Sequence, residues 1–176
     1  MESESFSIGR GGEYTLMDKR IFIFDLDGTV IDSSHRQGNS LDDWFRLNTR
    51  ENIFKDVPLA LGRHIRNLHL KGHKVLICTS RNISKDDLDY LEQVLKIPPN
   101  IKIIARPYGC DSAPFTLKKK QLSYLQNFKS FRDKIKFLID DNEDNLKSFE
   151  ELGTNCFGIF PNQAEDFISR IVLNER

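Results

Sequence analysis

The sequence predicts one α/β domain, a three-layer α/β/α sandwich around a central parallel, Rossmann-like sheet. Short apolar runs alternate along the chain with segments whose apolar residues recur at helical spacing. The apolar runs are unbroken, which is typical of strands buried on both faces of a parallel sheet. The length of 176 residues, with 39% hydrophobic and 30% charged residues, is typical of a soluble globular domain with one sizeable core.

Five apolar runs define the predicted strands. Each run is only a few residues long and is followed by an amphipathic segment, as expected of strand-helix units. The connections between such units are expected to be right-handed. The predicted strands are 21–24, 74–78, 101–104, 135–139 and 155–159.

Five amphipathic segments predict helices. In the first, Leu61, Ile65 and Leu68 share one face, and Gly72 supplies the stop. The predicted helices are 58–71, 84–96, 117–128, 142–152 and 162–173.

Capping residues support two of these helices. Ser84 is a candidate N-cap for the second helix, whose predicted apolar stripe includes Leu88. Asn162 and Glu165 have the spacing of a capping box at the start of the last helix.

The predicted domain is 19–176, preceded by a flexible lead-in at 1–18. The lead-in has no apolar core of a secretory signal, and no apolar run approaches the length of a membrane span. Three cysteines without a CxxC pair give no zinc motif and favour a reducing, cytoplasmic location. Lys+Arg and Asp+Glu are both 26, and this zero net charge argues against a generic polyanion binder.

Polar residues with a common chemistry follow the predicted strands. Ligands of open parallel sheets gather at the carboxyl ends of the strands, so these residues are expected to meet there. Carboxylates, hydroxyls and cations together suit phosphoryl transfer, which depends on positioning and charge neutralisation. The residues are Asp25, Asp27, Thr29, Thr79, Ser80, Arg81, Lys118, Asp140 and Asp141.

The pair Asp25 and Asp27 predicts a cation site. Side chains two residues apart in a strand point to the same side, where two carboxylates repel unless a cation or a proton intervenes. Magnesium takes a few oxygen ligands and keeps waters. Asp25, Asp140 and the main-chain carbonyl of Asp27 are therefore predicted to hold Mg²⁺.

One of three consecutive lysines is expected to face the site. Helical steps of about 100° place Lys118 on the same face as Leu122 and Leu125. Lys119 and Lys120 rotate away toward solvent.

The sequence DLDGT at 25–29, followed by Thr79, a helical Lys118 and the acidic pair Asp140-Asp141, resembles the haloacid dehalogenase (HAD) superfamily of phosphatases. The resemblance implies a HAD fold and a magnesium-dependent phosphatase in which Asp25 is the nucleophile and forms an aspartyl-phosphate. It implies that Asp27 is the general acid and base, and that Thr79 and Lys118 contact the transferring phosphoryl group. Asp140 would bind Mg²⁺, with Asp141 as a ligand to its water shell or an orienter of Lys118.

A narrower resemblance suggests a substrate. The order of Arg36, Thr79-Ser80-Arg81, Lys118 and LIDDN at 138–142 is similar to the phosphatase domain of phage polynucleotide kinase and its stand-alone relatives. It implies that Arg36 and Arg81 contact the substrate phosphate or its neighbours, with Thr29 and Ser80 nearby. Ser80 replaces the glycine usual in that group, and no kinase phosphate loop is present.

The favoured substrate is a phosphate monoester at a nucleic acid 3′-end or on a nucleotide. A sugar-phosphate or free-nucleotide phosphatase, and a non-catalytic binding protein, remain alternatives.

Residues 33–57 are too few for a large cap domain, so a minimal cap and an open site are predicted. Trp44 in this segment is interpreted either as a packing residue or as a platform for a base, and the basic run at 118–136 either as a solvated face or as a rim of the site.

Overall fold

The computed structural model describes residues 5–7, 13–15 and 19–174. Its strands are β1 (Ser5–Ser7), β2 (Glu13–Thr15), β3 (Ile21–Phe24), β4 (Ile31–Asp32), β5 (Val57–Pro58), β6 (Lys74–Cys78), β7 (Lys102–Ile104), β8 (Lys136–Ile139) and β9 (Cys156–Ile159). Its α-helices are α1 (Leu41–Leu47), α2 (Arg50–Ile53), α3 (Leu61–Leu70), α4 (Lys85–Gln93), α5 (Pro114–Leu125), α6 (Lys129–Arg132), α7 (Glu143–Glu150) and α8 (Pro161–Asn174).

The central sheet has five parallel strands in the order β7-β6-β3-β8-β9. On β3, Phe22 and Phe24 pack toward α3, α4 and α8, whereas Ile21 and Ile23 pack toward α5, α6 and α7. Helices therefore cover both faces, and the predicted three-layer α/β/α fold is confirmed. The middle position of β3 places its carboxyl end between those of β6 and β8, where ligands of such sheets bind.

The five predicted strands and five predicted helices are all present, with shifted ends. Helix α3 begins at Leu61 rather than at 58 because Pro58 pairs with Ile31 in the small β4-β5 sheet. Helix α5 begins at Pro114, before the predicted start at 117, since proline suits the first turn of a helix.

Two details of the helix predictions are wrong. Leu88 is exposed, and Tyr90 is buried on α4 instead. Helix α8 already begins at Pro161, so Asn162 lies inside the helix and is not its N-cap.

The segment between β4 and β5 is short and polar. It contains a 3-10 helix (Ser34–Arg36) and the helices α1 and α2, neither longer than seven residues. This confirms the minimal cap.

Most of the predicted lead-in at 1–18 lies outside the described residues, apart from β1 and β2, which pair antiparallel. The flexibility of the lead-in stays a prediction. No helix in the described part of the chain has the length and apolar character to cross a bilayer.

Candidate active site

The carboxyl ends of the three middle strands bring together Asp25, Thr79 and Asp140. All three residues are buried. The Asp25 N–H donates to the carbonyl of Ile139, the last residue of β8, at 2.9 Å. The parallel register therefore fixes these residues side by side, as the sequence predicts.

Lys118 links two of the carboxylates. Its Nζ lies 2.6 Å from Asp25 Oδ1 and 2.9 Å from Asp140 Oδ2, and only 2% of the residue is exposed. Burial alone would lower the pKa of Lys118, but the carboxylates of Asp25 and Asp140 raise it above the ordinary value. Lys119 and Lys120 are exposed, as predicted from helical spacing.

Asp25, Asp140 and Asp141 form an acidic cluster that suits a divalent cation. Carboxylate oxygens of the three residues all lie within 4.8 Å of one another. Burial raises the pKa of Asp25 to about 7; Lys118 opposes this shift, and the negative charges of Asp140 and Asp141 add to it. Burial and Asp140 likewise raise the pKa of Asp141. The positive charge of one lysine thus does not balance the negative charges of three carboxylates. Mg²⁺ prefers hard oxygen ligands such as these.

Gly28 gives the cluster its space. Its φ is +78°, and a Cβ on this residue would lie 2.4 Å from Asp141 Oδ2. The glycine of DLDGT therefore serves both a left-handed turn and the close approach of a carboxylate.

Asp140 is held in place by neighbours on the α7 side. Its Oδ1 accepts from the Asn142 N–H at 2.9 Å, and its Oδ2 accepts from Asn145 Nδ2 at 3.0 Å. Asn145 was not predicted from the sequence. The only signal in the sequence was its position near Asn142, the N-cap of α7.

Asp27 has a separate set of partners. Its Oδ1 accepts from Ser33 Oγ at 2.6 Å, and its Oδ2 accepts from Arg81 Nε at 2.7 Å. The repulsion expected between Asp25 and Asp27 is thus relieved by two different cationic side chains, Lys118 and Arg81. The carboxylate of Asp27 is not part of the acidic cluster, and the use of its main-chain carbonyl as a metal ligand stays a prediction.

The three predicted hydroxyl residues lie in the turn after β3 and at the start of the loop after β6. Thr29 is buried, and its Oγ1 lies 3.4 Å from Asp25 Oδ2. Thr79 is also buried, and its Oγ1 accepts from the Arg81 N–H at 3.4 Å. Ser80 is half-buried, and its carbonyl accepts from Arg106 Nε at 2.7 Å.

Arg36 is engaged by acceptors inside the protein. It is 2% exposed. Its Nε donates to Asp56 Oδ1 and its Nη2 donates to Asp56 Oδ2, both at 2.7 Å. Its Nη1 donates to Asn48 Oδ1. Arg36 thus holds the segment 33–57 together, and the predicted contact between Arg36 and substrate stays a prediction.

A cleft of about 460 Å³ opens beside Asp27, Ser80, Arg81 and Asp141. Its other wall comes from the segment 33–57 and includes the half-buried Trp44. The first three lysines of the basic run at 118–136 do not form a rim of this cleft. Lys118 is buried, and Lys119 and Lys120 line a different depression on α5.

Comparison with solved structures shows the same fold in several bacterial proteins. The HAD domain of effector protein Lem4 from Legionella pneumophila has a TM-score of 0.58 and 16% identity, over 89% of this chain and 95% of that one. A hydrolase from Streptococcus pneumoniae has a TM-score of 0.54 and 10% identity, over 81% and 91%. A HAD-superfamily hydrolase of subfamily IA from Geobacter sulfurreducens has a TM-score of 0.51 and 17% identity, over 81% and 85%.

Comparison by sequence identifies the family. No curated protein matches this chain. A family model described as bacteriophage T5 5′-deoxynucleotidase matches residues 15–158, which is most of the chain. Together with the HAD fold, this confirms the resemblance to HAD phosphatases. The chain belongs to the bacteriophage T5 5′-deoxynucleotidase family and is a phosphatase-type hydrolase of the HAD superfamily.

Proposed function

We propose that this protein is a magnesium-dependent phosphomonoesterase that removes the phosphate of 5′-deoxynucleotides through an aspartyl-phosphate on Asp25. The observation that carries the proposal is the buried carboxylate of Asp25, in contact with Lys118 and within the acidic cluster. The substrate follows from the description of the family model.

Asp25 is the nucleophile. One of its carboxylate oxygens attacks phosphorus, the bond from phosphorus to the 5′-oxygen breaks, and the phosphoryl group is transferred to Asp25. Lys118 neutralises negative charge beside the reacting group because its ammonium lies between Asp25 and Asp140. Thr79 and Thr29 supply hydroxyl groups at the same place.

Asp27 moves the protons. It gives a proton to the departing 5′-oxygen, then takes one from the water that hydrolyses the aspartyl-phosphate. Arg81 and Ser33 each hold one of its carboxylate oxygens and so fix its direction. The partly exposed position of Asp27, with 27% of its side chain accessible, lets it meet both the leaving group and water.

The residues that would hold the metal are Asp25, Asp140, Asp141 and the carbonyl of Asp27. When bound, Mg²⁺ would supply positive charge to the phosphoryl oxygens and order the groups that react. The remaining contribution is from the chain itself: Asn142 and Asn145 fix Asp140, and Gly28 leaves room for Asp141.

The shape of the cleft supports a nucleotide. A nucleoside phosphate that places its phosphorus beside Asp25 extends along a cleft whose far wall contains Trp44. Aromatic side chains stack on bases without regard to sequence. A sugar phosphate would leave this wall without a partner.

A panel of substrates tests the proposal. We expect kcat/KM in Mg²⁺ to be highest for deoxynucleoside 5′-monophosphates, above ribonucleotides, 3′-phosphorylated oligonucleotides and sugar phosphates, and to vanish in EDTA. Activity for a mononucleotide should respond weakly to salt, whereas a polymer held by many phosphate contacts responds steeply. Preference for 3′-phosphorylated oligonucleotides would assign the substrate to nucleic acid ends. No turnover of any member would contradict the proposed function.

A further inference from the structure

One carboxylate on α4 joins the two arginines near the cleft. Asp87 is 4% exposed, and its Oδ1 accepts from Arg81 Nη1 at 3.0 Å and from Arg36 Nη2 at 3.4 Å. Its Oδ2 accepts from the N–H and the Oγ of Ser84 at 2.9 Å each, within the capping box of α4. The two oxygens of Asp87 therefore act separately, since one caps the helix and the other holds the guanidinium groups.

The arginine held by Asp87 also holds Asp27. Arg81 bonds Asp27 through Nε and Asp87 through Nη1, so its planar guanidinium is held between two carboxylates. A longer contact joins Nη1 to the Asn82 carbonyl at 3.3 Å. Its side chain is only 13% exposed. Without the charge of Asp87, Nη1 keeps only the longer contact with the neutral Asn82 carbonyl. The guanidinium is then held less firmly, and Asp27 has a less fixed neighbour on Oδ2.

Asp87 is not needed to neutralise Arg36. That guanidinium already has a two-point contact with Asp56 at 2.7 Å, and its contact with Asp87 is longer. Arg81 has no comparable second acid apart from Asp27 among the described residues. The orientation of Arg81 therefore depends on Asp87 more strongly than the orientation of Arg36 does.

We infer that Asp87 is a positioning residue for the reaction: it locks Arg81 in the orientation that directs the carboxyl group of Asp27 toward the leaving group. The inference rests on the proposed function of Asp27 as proton donor. It predicts that the loss of Asp87 affects substrates that need a proton on the leaving oxygen more than substrates that do not.

Asp87→Asn tests this with two substrates. The amide oxygen retains an acceptor for the cap of α4, while the charge that holds Arg81 is removed. We expect kcat/KM for a deoxynucleoside 5′-monophosphate to fall about 10- to 100-fold, and kcat/KM for p-nitrophenyl phosphate to fall less than about threefold, since nitrophenolate leaves without a proton. The comparison uses kcat/KM because this constant covers only the steps up to departure of the leaving group, and excludes hydrolysis of the aspartyl-phosphate that both substrates share.

Asp86→Asn is the matched control. Asp86 is the preceding residue of α4, is partly exposed and pairs with Arg50 rather than with Arg81. We expect this variant to keep both activities. The ratio of the two activities is measured on the same active sites, so it does not depend on the fraction of folded protein. If Asp87→Asn is insoluble, Asp87→Glu takes its place, with a smaller change of the ratio in the same direction.

An equal loss for both substrates would overturn the inference, because a purely structural role lowers both activities alike. So would an unchanged kcat/KM for the nucleotide. These outcomes require a wild-type protein that hydrolyses the nucleotide in Mg²⁺. If the wild-type protein fails to do so, the proposed function itself is contradicted.

Discussion

The centre of the candidate site and the wall of its cleft are built in different ways. At the centre, Asp25, Asp140 and Lys118 come from two neighbouring strand ends and from one helix packed on the sheet. At the wall, Arg36, Asp56 and Asp87 meet from a 3-10 helix, a loop and the start of α4. Sheet register determines the first group, whereas the path of the loops determines the second. We therefore expect changes at the centre to remove chemistry. Changes at the wall should alter stability or substrate binding, or, at Asp87, the position of Asp27 through Arg81.

The largest expected effect is that of Asp25→Asn. The variant keeps the size of the side chain but removes the carboxylate that we propose as the nucleophile. We expect kcat for p-nitrophenyl phosphate to fall by at least about three orders of magnitude, with little change in the thermal midpoint. Asp144→Asn is the control, because Asp144 is an exposed acid on α7 and should be neutral. Substantial residual activity of Asp25→Asn would contradict the aspartyl-phosphate mechanism.

This contrast also explains how much the sequence predicts. Asp25, Thr79 and Asp140 are predicted to meet because parallel strands end at one edge of a sheet, whatever the loops between them do. Lys118 is distinguished from Lys119 by helical periodicity alone. All five strands of the central sheet are predicted by the same kind of local pattern.

The wall is not predictable in the same way. Helices α1 and α2 have seven and four residues, too few for an apolar period to stand out. The motif assigns Arg36 to the substrate, but the burial of Arg36 depends on Asp56, which is 20 residues further along. The contact of Arg81 with Asp87 likewise depends on the three-dimensional path of the chain, because the sequence does not indicate which of its many acidic residues pairs with which arginine.

Lys118→Met is the second test of the centre. The change removes the ammonium that contacts Asp25 and Asp140 and keeps an unbranched side chain. Loss of one charge-stabilising group typically costs about 10²- to 10³-fold in kcat, and we expect a fall in that range. Lys119→Met, the adjacent exposed lysine on α5, should retain normal kcat. Similar losses for the two variants would show that the helix, and not the contact of Lys118, is responsible.

Arg36→Met tests the wall. The variant leaves the buried carboxylate of Asp56 without its two-point partner. Removing one member of a buried ion pair costs about 3–5 kcal/mol, so we expect the free energy of unfolding in urea to fall by that amount. Arg46→Met is the control, because the pair of Arg46 with Asp43 is exposed and contributes little. A normal stability of Arg36→Met together with a raised KM would instead support the predicted contact between Arg36 and substrate.

Trp44→Ala has the smallest expected effect and the one most specific to the substrate. Stacking on one base is worth about 1–3 kcal/mol, so at the lower end KM for a deoxynucleoside 5′-monophosphate should rise about fivefold. Deoxyribose 5-phosphate, which has no base, should show no such rise. The adjacent Phe45→Ala serves as a matched control because Phe45 is 61% exposed and is not among the residues of the cleft.

The comparison of the two substrates separates the two interpretations of Trp44. The ring centroids of Trp44 and Phe45 are 5.2 Å apart. If Trp44 only packs within the segment 33–57, its removal disturbs the wall and affects both substrates alike. If Trp44 stacks on the base, only the nucleotide is affected and kcat is unchanged, because the phosphoryl group still reaches Asp25. A selective rise in KM would thus connect the wall of the cleft to substrate choice. An equal rise in KM for both substrates would mean that Trp44 gives no support to a nucleotide substrate.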